Sequence, residues 1–390
     1  MQNLTAALAA RKQQQLYRVR QTLQGAQGVL VRIDGQEYLS FCSNDYLGLA
    51  GDPRLIRAMQ EGAERFGVGS GAAHLVTGHS YAHQALEEDL ADFTGRPGVL
   101  LFSTGYMANL GVVAALAGRR DRVFEDRLNH ASLIDAATLS HARLVRYPHN
   151  DMTRLQEKLS ANTQGVRLIA SDAVFSMDGD CAPVTELARL ATDSDAWLLV
   201  DDAHGIGVLG EQGRGWFLEQ LPEVPDNALL MATLGKGLGT FGAFVAASEA
   251  LIETLIQQAR TFIYTTAPPP AIAWASREAL RLVREGEHLR ARLRELVHRF
   301  RAGAGQLGLP LTASVTPIQP LLVGDAGAAL RLSERLRAHG LLVTAIRPPT
   351  VPEGTARLRI TLSAAHEAAH IDRLLDTLAN CFEGGSRAAR

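Results

Sequence analysis

The chain holds three lysines, and one of them stands where it could do chemistry. Lys12 lies in the polar run Arg11-Lys-Gln-Gln-Gln15, and Lys158 lies among the polar positions of an amphipathic stretch. Lys236 sits in Thr233-Leu-Gly-Lys-Gly-Leu-Gly-Thr240, directly after the apolar run Ala228-Leu-Leu-Met-Ala232. Its flanking glycines let a large planar ligand approach the backbone closely. Upstream, Trp197-Leu-Leu-Val-Asp-Asp-Ala-His204 reads as a second buried strand that ends in Asp-x-x-His. One strand ending in an acid and a nearby one ending in a lysine fit pyridoxal phosphate (PLP). The Lys236 amine would form the Schiff base, and Asp201 would pair with the protonated pyridine nitrogen and keep the ring electron-poor. To do so Lys236 must be a neutral amine at some moment. An ordinary lysine titrates near 10.4, so burial or a nearby cation has to lower it.

Each residue also has a plainer explanation. Asp201 taken alone could equally cap the next loop, and Lys236 could lie in a flexible glycine loop, although the apolar strand before it argues otherwise. His204 could donate to the cofactor's phenolic oxygen. Ser103-Thr-Gly-Tyr106 follows the apolar run Val99-Leu-Leu-Phe102 and opens a helix. Gly105 and Tyr106 would then offer main-chain N–H groups to a phosphate, or form an ordinary strand–helix turn. His130, in Asn129-His-Ala-Ser132, opens another helix and could stack on an aromatic ring. A lone histidine there is more often structural.

The elements that must position these residues follow from periodicity. Apolar runs at 98–102, 121–124, 143–147, 166–170, 196–200, 228–232 and 242–247 alternate with helical stretches. That alternation predicts an α/β fold with a mostly parallel sheet covered on both faces. Residues 3–24 read as an amphipathic helix. Residues 29–33 and 36–41 read as a hairpin around Asp34-Gly35, and Asp52-Pro53 reads as a helix start. A long helical stretch after Pro268-Pro-Pro270 runs to about 305. Strands near 316–323, 341–345 and 356–362 then alternate with helices near 326–338 and 365–381. The expected division is an N-terminal segment over 1–50, a large domain over 51–285 and a small α+β domain over 286–390. The tail from Glu383 is expected to be disordered.

Bulk properties narrow the function further. The formal net charge of −2 leaves no electrostatic footprint for nucleic acid or an acidic membrane. Three cysteines without a CxxC pair fit neither a disulfide framework nor a structural zinc site. A cytoplasmic enzyme without a signal peptide or membrane span is expected. Two motifs compete with this reading. Gly237-Leu-Gly-Thr-Phe-Gly242 fits GxGxxG, but a strand rather than a helix follows, and no acid stands about 20 residues on. His366-Glu-Ala-Ala-His370 fits the zinc-protease HExxH. Zincins need a third protein ligand, and Glu383 in the glycine-rich tail is a poor one. The polar face of an exposed helix is the expected explanation, so no metal is expected.

With these residues assembled, the chain resembles the α-oxoamine synthases, PLP enzymes of the aspartate aminotransferase fold (fold type I). The resemblance runs from about residue 4 to 380. It rests on Ser43-Asn-Asp-Tyr-Leu-Gly-Leu49, Gly67-Val-Gly-Ser-Gly71, His83-Gln-Ala-Leu-Glu87, Phe175-Ser-Met-Asp-Gly179, Val200-Asp-Asp-Ala-His-Gly205 and Gly235-Lys-Gly237. Three C-terminal segments, Ile318–Asp325, Thr344–Pro352 and Gly354–Ser363, resemble the branch that joins L-alanine to a pimeloyl thioester in biotin synthesis.

The resemblance implies a role for each matching position. Lys236 would carry the cofactor. Asp201 would hold the pyridine nitrogen, with His204 and Ser176 at the phenolic oxygen or phosphate. Gly105, Tyr106 and Thr233 would serve the phosphate, and Thr266 would reach the phosphate bound by a partner subunit in a homodimer. His130 would stack on the ring and Arg347 would hold the amino acid's carboxylate. Arg18, Asn44 and Thr350 would line the acyl path, the acyl group arriving on coenzyme A or acyl carrier protein. One segment departs from the pattern. Gly69-Ser-Gly-Ala-Ala-His-Leu75 carries alanines where relatives carry glycine, so His74 receives no role.

Overall fold

The computed structural model describes residues 3–14, 16–161 and 164–382. The tail over 383–390 lies outside the described residues. The chain divides into two compact units. One is formed by the N-terminal residues to Gly48, by Met177–Asp180 and by the residues from Ala291 on; the other is formed by Leu49–Ser176 and Cys181–Arg290.

The strands, in chain order, are β1 (Leu30–Ile33), β2 (Gln36–Ser40), β3 (Gly98–Phe102), β4 (Arg122–Asp126), β5 (Arg143–Tyr147), β6 (Arg167–Asp172) and β7 (Trp197–Asp201). They continue with β8 (Ala228–Thr233), β9 (Ala243–Ala247), β10 (Ile318–Gly324), β11 (Leu341–Leu342), β12 (Thr344–Ile346) and β13 (Ala356–Thr361). Strands β3 to β9 are the seven apolar runs of the sequence. They form one sheet in the order β3-β9-β8-β7-β6-β4-β5, in which β9 alone is antiparallel to its neighbours. Sheets buried on both faces need continuous apolar strands rather than alternating ones. Leu198, Leu199 and Val200 of β7 accordingly have no exposed surface. The core between this sheet and helices Gly105–Leu116 and Ala131–Ser140 includes Leu100, Val112, Val123, Leu133, Ala136, Leu168 and Leu199.

The smaller unit carries two three-stranded sheets, β1-β2-β11 and β10-β13-β12. The β1–β2 hairpin turns at Asp34 and Gly35, both at positive φ (50° and 77°), as its Asp-Gly pair demands.

Four local expectations change. The N-terminal helix covers Leu4–Gln13 and buries no residue, so no packed face extends it. Leu23 instead bridges to Ile33, and the Gln24 N–H donates to the Arg32 carbonyl, so this stretch follows the hairpin and Arg18 lies outside any helix. The long helix after the prolines is two helices, Pro270–Glu285 and Glu287–Gln306, separated at Gly286. The strand expected at 341–345 is two short strands in different sheets.

The HExxH stretch does not present two histidines on an exposed helix face. The helix begins at Ala368, and His366 lies before it with 1% of its surface exposed. Its ring stacks on Phe41 at 4.6 Å. Its Nδ1 accepts from the Ser363 N–H at 2.9 Å, and its Nε2 lies 3.0 Å from the Ser40 carbonyl. Burial holds its pKa down to about 4. Among the described residues no group of three or more His, Cys, Asp or Glu could hold a metal ion, and no helix is long and apolar enough to cross a membrane.

Candidate active site

Because β9 runs against the other strands, the carboxyl ends of β3, β4, β6, β7 and β8 lie at one edge of the large sheet. Ligands in open α/β sheets bind at that edge. A cleft of about 200 Å³ opens there, lined by Gly105, Tyr106, His130, Ser132, Asp172, Ser176, Asp201, Ala203, His204, Met231, Thr233 and Lys236. All twelve belong to the larger unit. Of the expected cofactor and catalytic residues, only Thr266 is missing from this lining. Thr266 is exposed, in a stretch whose Ala267 N–H donates to the Ala72 carbonyl and whose Pro268 carbonyl accepts from Ser70 and lies 2.7 Å from His83 Nε2.

At the end of β8 the Lys236 Nζ stands 2.9 Å from His204 Nε2. Asp201, at the end of β7, is nearly buried. The Ala203 N–H donates to its Oδ1 at 3.0 Å and Asn109 Nδ2 donates to its Oδ2 at 2.8 Å. An ionised carboxylate accepts about four hydrogen bonds, so room remains for one more donor. Asp202 points the other way and clamps the loop that carries His204. Its Oδ2 accepts from the Phe217 N–H at 2.9 Å, and burial pushes its pKa up to about 8.

Thr104 caps the helix Gly105–Leu116, its Oγ1 accepting from the Met107 N–H at 3.1 Å. The first N–H groups of this helix have no carbonyl of their own helix to bond, which makes them an anion site. A Cβ on Gly105 would come within 3.3 Å of the Met231 Cε. Beside them the Tyr106 hydroxyl donates to Asp135. Thr233 Oγ1 donates to the Gly242 carbonyl at 2.9 Å and accepts from the Gly235 N–H at 3.2 Å, which shapes the lysine loop.

His130 caps the helix Ala131–Ser140, and its own N–H donates to Asp172 Oδ2 at 2.7 Å. Its Nδ1 edge turns toward the buried Ser132, while the residue as a whole stays exposed. Desolvation lowers the pKa of His130; Asp201 pulls it up and Lys236 pushes it down. Asp172 is the register partner of Asp201 on the next strand. Burial first, then the neighbouring Asp201, raises its carboxyl well above the usual range.

Arg18, Asn44, Arg347 and Thr350 belong to the smaller unit. Asn44 Oδ1 accepts from Arg359 Nη1 at 3.1 Å and from the Tyr46 hydroxyl at 3.2 Å. Arg347 and Thr350 share one turn, the Thr350 N–H donating to the Arg347 carbonyl at 3.1 Å. Arg18 is exposed.

Three polar residues in or beside the site were not singled out in the sequence. Asn109 shows itself only as an amide inside the otherwise apolar Ala108–Val113 stretch. Ser132 lies two positions after His130, and Asp172 ends β6 as Asp201 ends β7.

The donor set fits pyridoxal phosphate: helix N–H groups for a phosphate, a carboxylate for a ring nitrogen, an imidazole for a ring face and an amine for an aldehyde. Known proteins agree. Residues 36–378 match the family described as aminotransferase class I and II. The 8-amino-7-oxononanoate synthase of Nitrosococcus oceani is 61% identical over 95% of this chain and 98% of its own length. A serine palmitoyltransferase variant from S. paucimobilis, solved with bound PLP, superposes with a TM-score of 0.91 at 29% identity, covering 97% of this chain and 96% of that one. The 8-amino-7-oxononanoate synthase of Francisella tularensis superposes with a TM-score of 0.78 at 32% identity, covering 88% and 97%. The chain therefore belongs to the class I and II aminotransferase family, among its PLP-dependent α-oxoamine synthases.

Proposed function

We propose that the protein condenses L-alanine with a pimeloyl thioester and releases 8-amino-7-oxononanoate, CO2 and the free thiol, a step of biotin synthesis. The observation that carries this reading is the gathering of Lys236, His204, Asp201 and His130 around one cleft, in a chain so close to relatives that bear that enzyme's name. Bound in this cleft, PLP supplies an electron sink for the carbanion at the amino acid's Cα.

The chain's own residues do the rest. The helix that begins at Gly105 and Tyr106, together with Thr233 and Ser176, holds the phosphate. Asp201 keeps a proton on the pyridine nitrogen, and His204 fixes the phenolic oxygen. His130 covers the ring. Arg347 takes the alanine carboxylate and so sets which Cα bond faces the lysine; a guanidinium clamp supplies orientation as well as charge pairing. Lys236 takes the Cα proton. A new bond then joins Cα to the acyl carbon, and the C–S bond breaks with its electron pair on the leaving sulfur. The resulting β-keto acid loses CO2, and Lys236 returns a proton to the same carbon. Arg18, Asn44 and Thr350 line the acyl path. The acyl carrier is coenzyme A or acyl carrier protein.

The protein acts as a homodimer, with Thr266 of one chain serving the phosphate site of the other. Val68, Leu75, Val76, Tyr81 and Tyr264 support this. They are large apolar side chains, 53–82% exposed, on two segments that the Ala267–Ala72 hydrogen bond holds side by side.

The test is the absorption of the PLP-loaded protein with L-alanine, glycine or L-serine. The largest response is expected for L-alanine. Lys236→Ala is expected to bind PLP weakly and to show no turnover. A dominant glycine or serine response, or wild-type turnover in that variant, would overturn the assignment.

A further inference from the structure

Asp201 and His130 sit on different elements, yet hydrogen bonds connect them through two side chains that have no exposed surface. Asn109 Nδ2 lies 2.8 Å from Asp201 Oδ2 and also 2.8 Å from Ser132 Oγ. Ser132 Oγ lies 2.8 Å from His130 Nδ1, and the Ser132 N–H reaches the same nitrogen at 3.3 Å. We propose that Asn109 is a positioning residue that ties Asp201 to His130 through Ser132, and so fixes His130 as the tautomer with its proton on Nε2.

The direction of every bond follows from the first. An ionised carboxylate can only accept, so Asn109 must turn its NH₂ toward Asp201. The second amide hydrogen then points at Ser132 Oγ, which accepts it. The serine's own hydrogen is left for His130 Nδ1. The Ser132 main-chain N–H is a donor too, so Nδ1 meets two donors and must carry its lone pair. The ring proton is therefore on Nε2. Asn109 Oδ1 is buried and has no hydrogen-bond partner. Leaving such a carbonyl unmet is costly, which fits an amide retained for its two donors rather than for stability.

The consequence is chemical. A neutral His130 can lie against a protonated pyridine ring without like-charge repulsion. Its Nε2–H is a donor rather than a base, suited to an oxygen that gains negative charge as the new carbonyl forms. The charged groups around it are Asp201, Lys236 and Asp135, while Asp172 takes its main-chain N–H.

This inference deepens the function proposed above and rests on it, but its readout does not need turnover. Histidine-labelled protein carrying PLP is examined by 15N NMR at neutral pH, with His130 assigned by the signal lost in His130→Gln. The wild type should show a protonated Nε2 and a bare Nδ1. In Asn109→Asp a carboxylate faces Ser132, which must now donate to it; Nδ1 keeps only the Ser132 main-chain N–H as a donor, so part of the His130 population should move its proton to Nδ1. Ser132→Ala should leave a mixture of tautomers and lower kcat roughly tenfold, the worth of one ordinary hydrogen bond, with KM for L-alanine little changed. A wild-type proton on Nδ1 overturns the proposal whether or not either variant folds. So does Ser132→Ala with wild-type tautomer and kcat. If the tautomers behave as stated but L-alanine gives no response, the relay stands and the assigned reaction falls.

Discussion

Glu125 sits in β4 with no exposed surface, and neither carboxylate oxygen has a hydrogen-bond partner. Burial pushes its pKa up to about 8 from an ordinary 4.5, partly opposed by Arg146. The folded protein therefore holds a proton that the unfolded chain releases. Its contribution to stability is full below about pH 4.5 and is lost as pH rises through about 8. Glu125→Gln removes the titration while keeping the shape. Thermal melts of both proteins across that range should show the variant gaining on the wild type as pH rises; parallel curves would contradict the burial argument. Residues of this kind explain the limits of reading single positions. Lys236 and Asp201 were legible because each ends an apolar run, where a charge needs a reason. Asn109 lies inside an apolar helical stretch and Glu125 beside a second acid, Asp126, at the end of β4, and only packing shows that one has donors to give and the other lacks them.

At the scale of elements, the loop after β7 shows how motif residues depend on one another. A Cβ on Gly205 would stand 2.1 Å from Asp202 Oδ1, and one on Gly215 would stand 2.3 Å from Asp202 Oδ2. Two close backbone approaches thus wrap the buried Asp202 and set the path of His204. Gly205→Ala should cost about 1–3 kcal/mol, the usual range for forcing extra atoms into a packed site. It should also weaken PLP binding, because His204 moves with the loop. A urea titration and a PLP titration check the two effects; unchanged PLP affinity would separate the loop from the cofactor site. The seven strands of the large sheet were legible because strands buried on both faces need unbroken apolar runs. The N-terminal helix was overextended because a helical pattern without a face to bury does not hold against pairing with a neighbouring hairpin. The HExxH spacing misled for a related reason: spacing cannot tell a helix face from a buried turn, whereas the Phe41 stack and the Ser40 carbonyl can.

For the whole molecule, the exposed apolar side chains at Val68, Leu75, Val76, Tyr81 and Tyr264 predict association. Light scattering should give twice the mass of one chain. Val76→Glu together with Tyr264→Glu should shift the protein toward the monomer and, if Thr266 is shared between chains as proposed, lower PLP affinity. A variant that stays dimeric with unchanged affinity would remove this surface from the interface.

The order of apolar runs and turn residues was enough to determine the α/β class, the hairpin, the capped helices and the loops that end in Lys236, Asp201 and His130. These are local consequences of periodicity and of backbone preference. Which loop ends meet was decided by the tertiary structure, because the strand order β3-β9-β8-β7-β6-β4-β5 is not the chain order. That crossing of the chain brings Asn109, Ser132 and Asp172 beside Asp201 and His130. Hydrogen bonds reach about 3 Å, whereas Asn109 and Asp201 are 92 residues apart along the chain, so no spacing in the sequence could have shown the link.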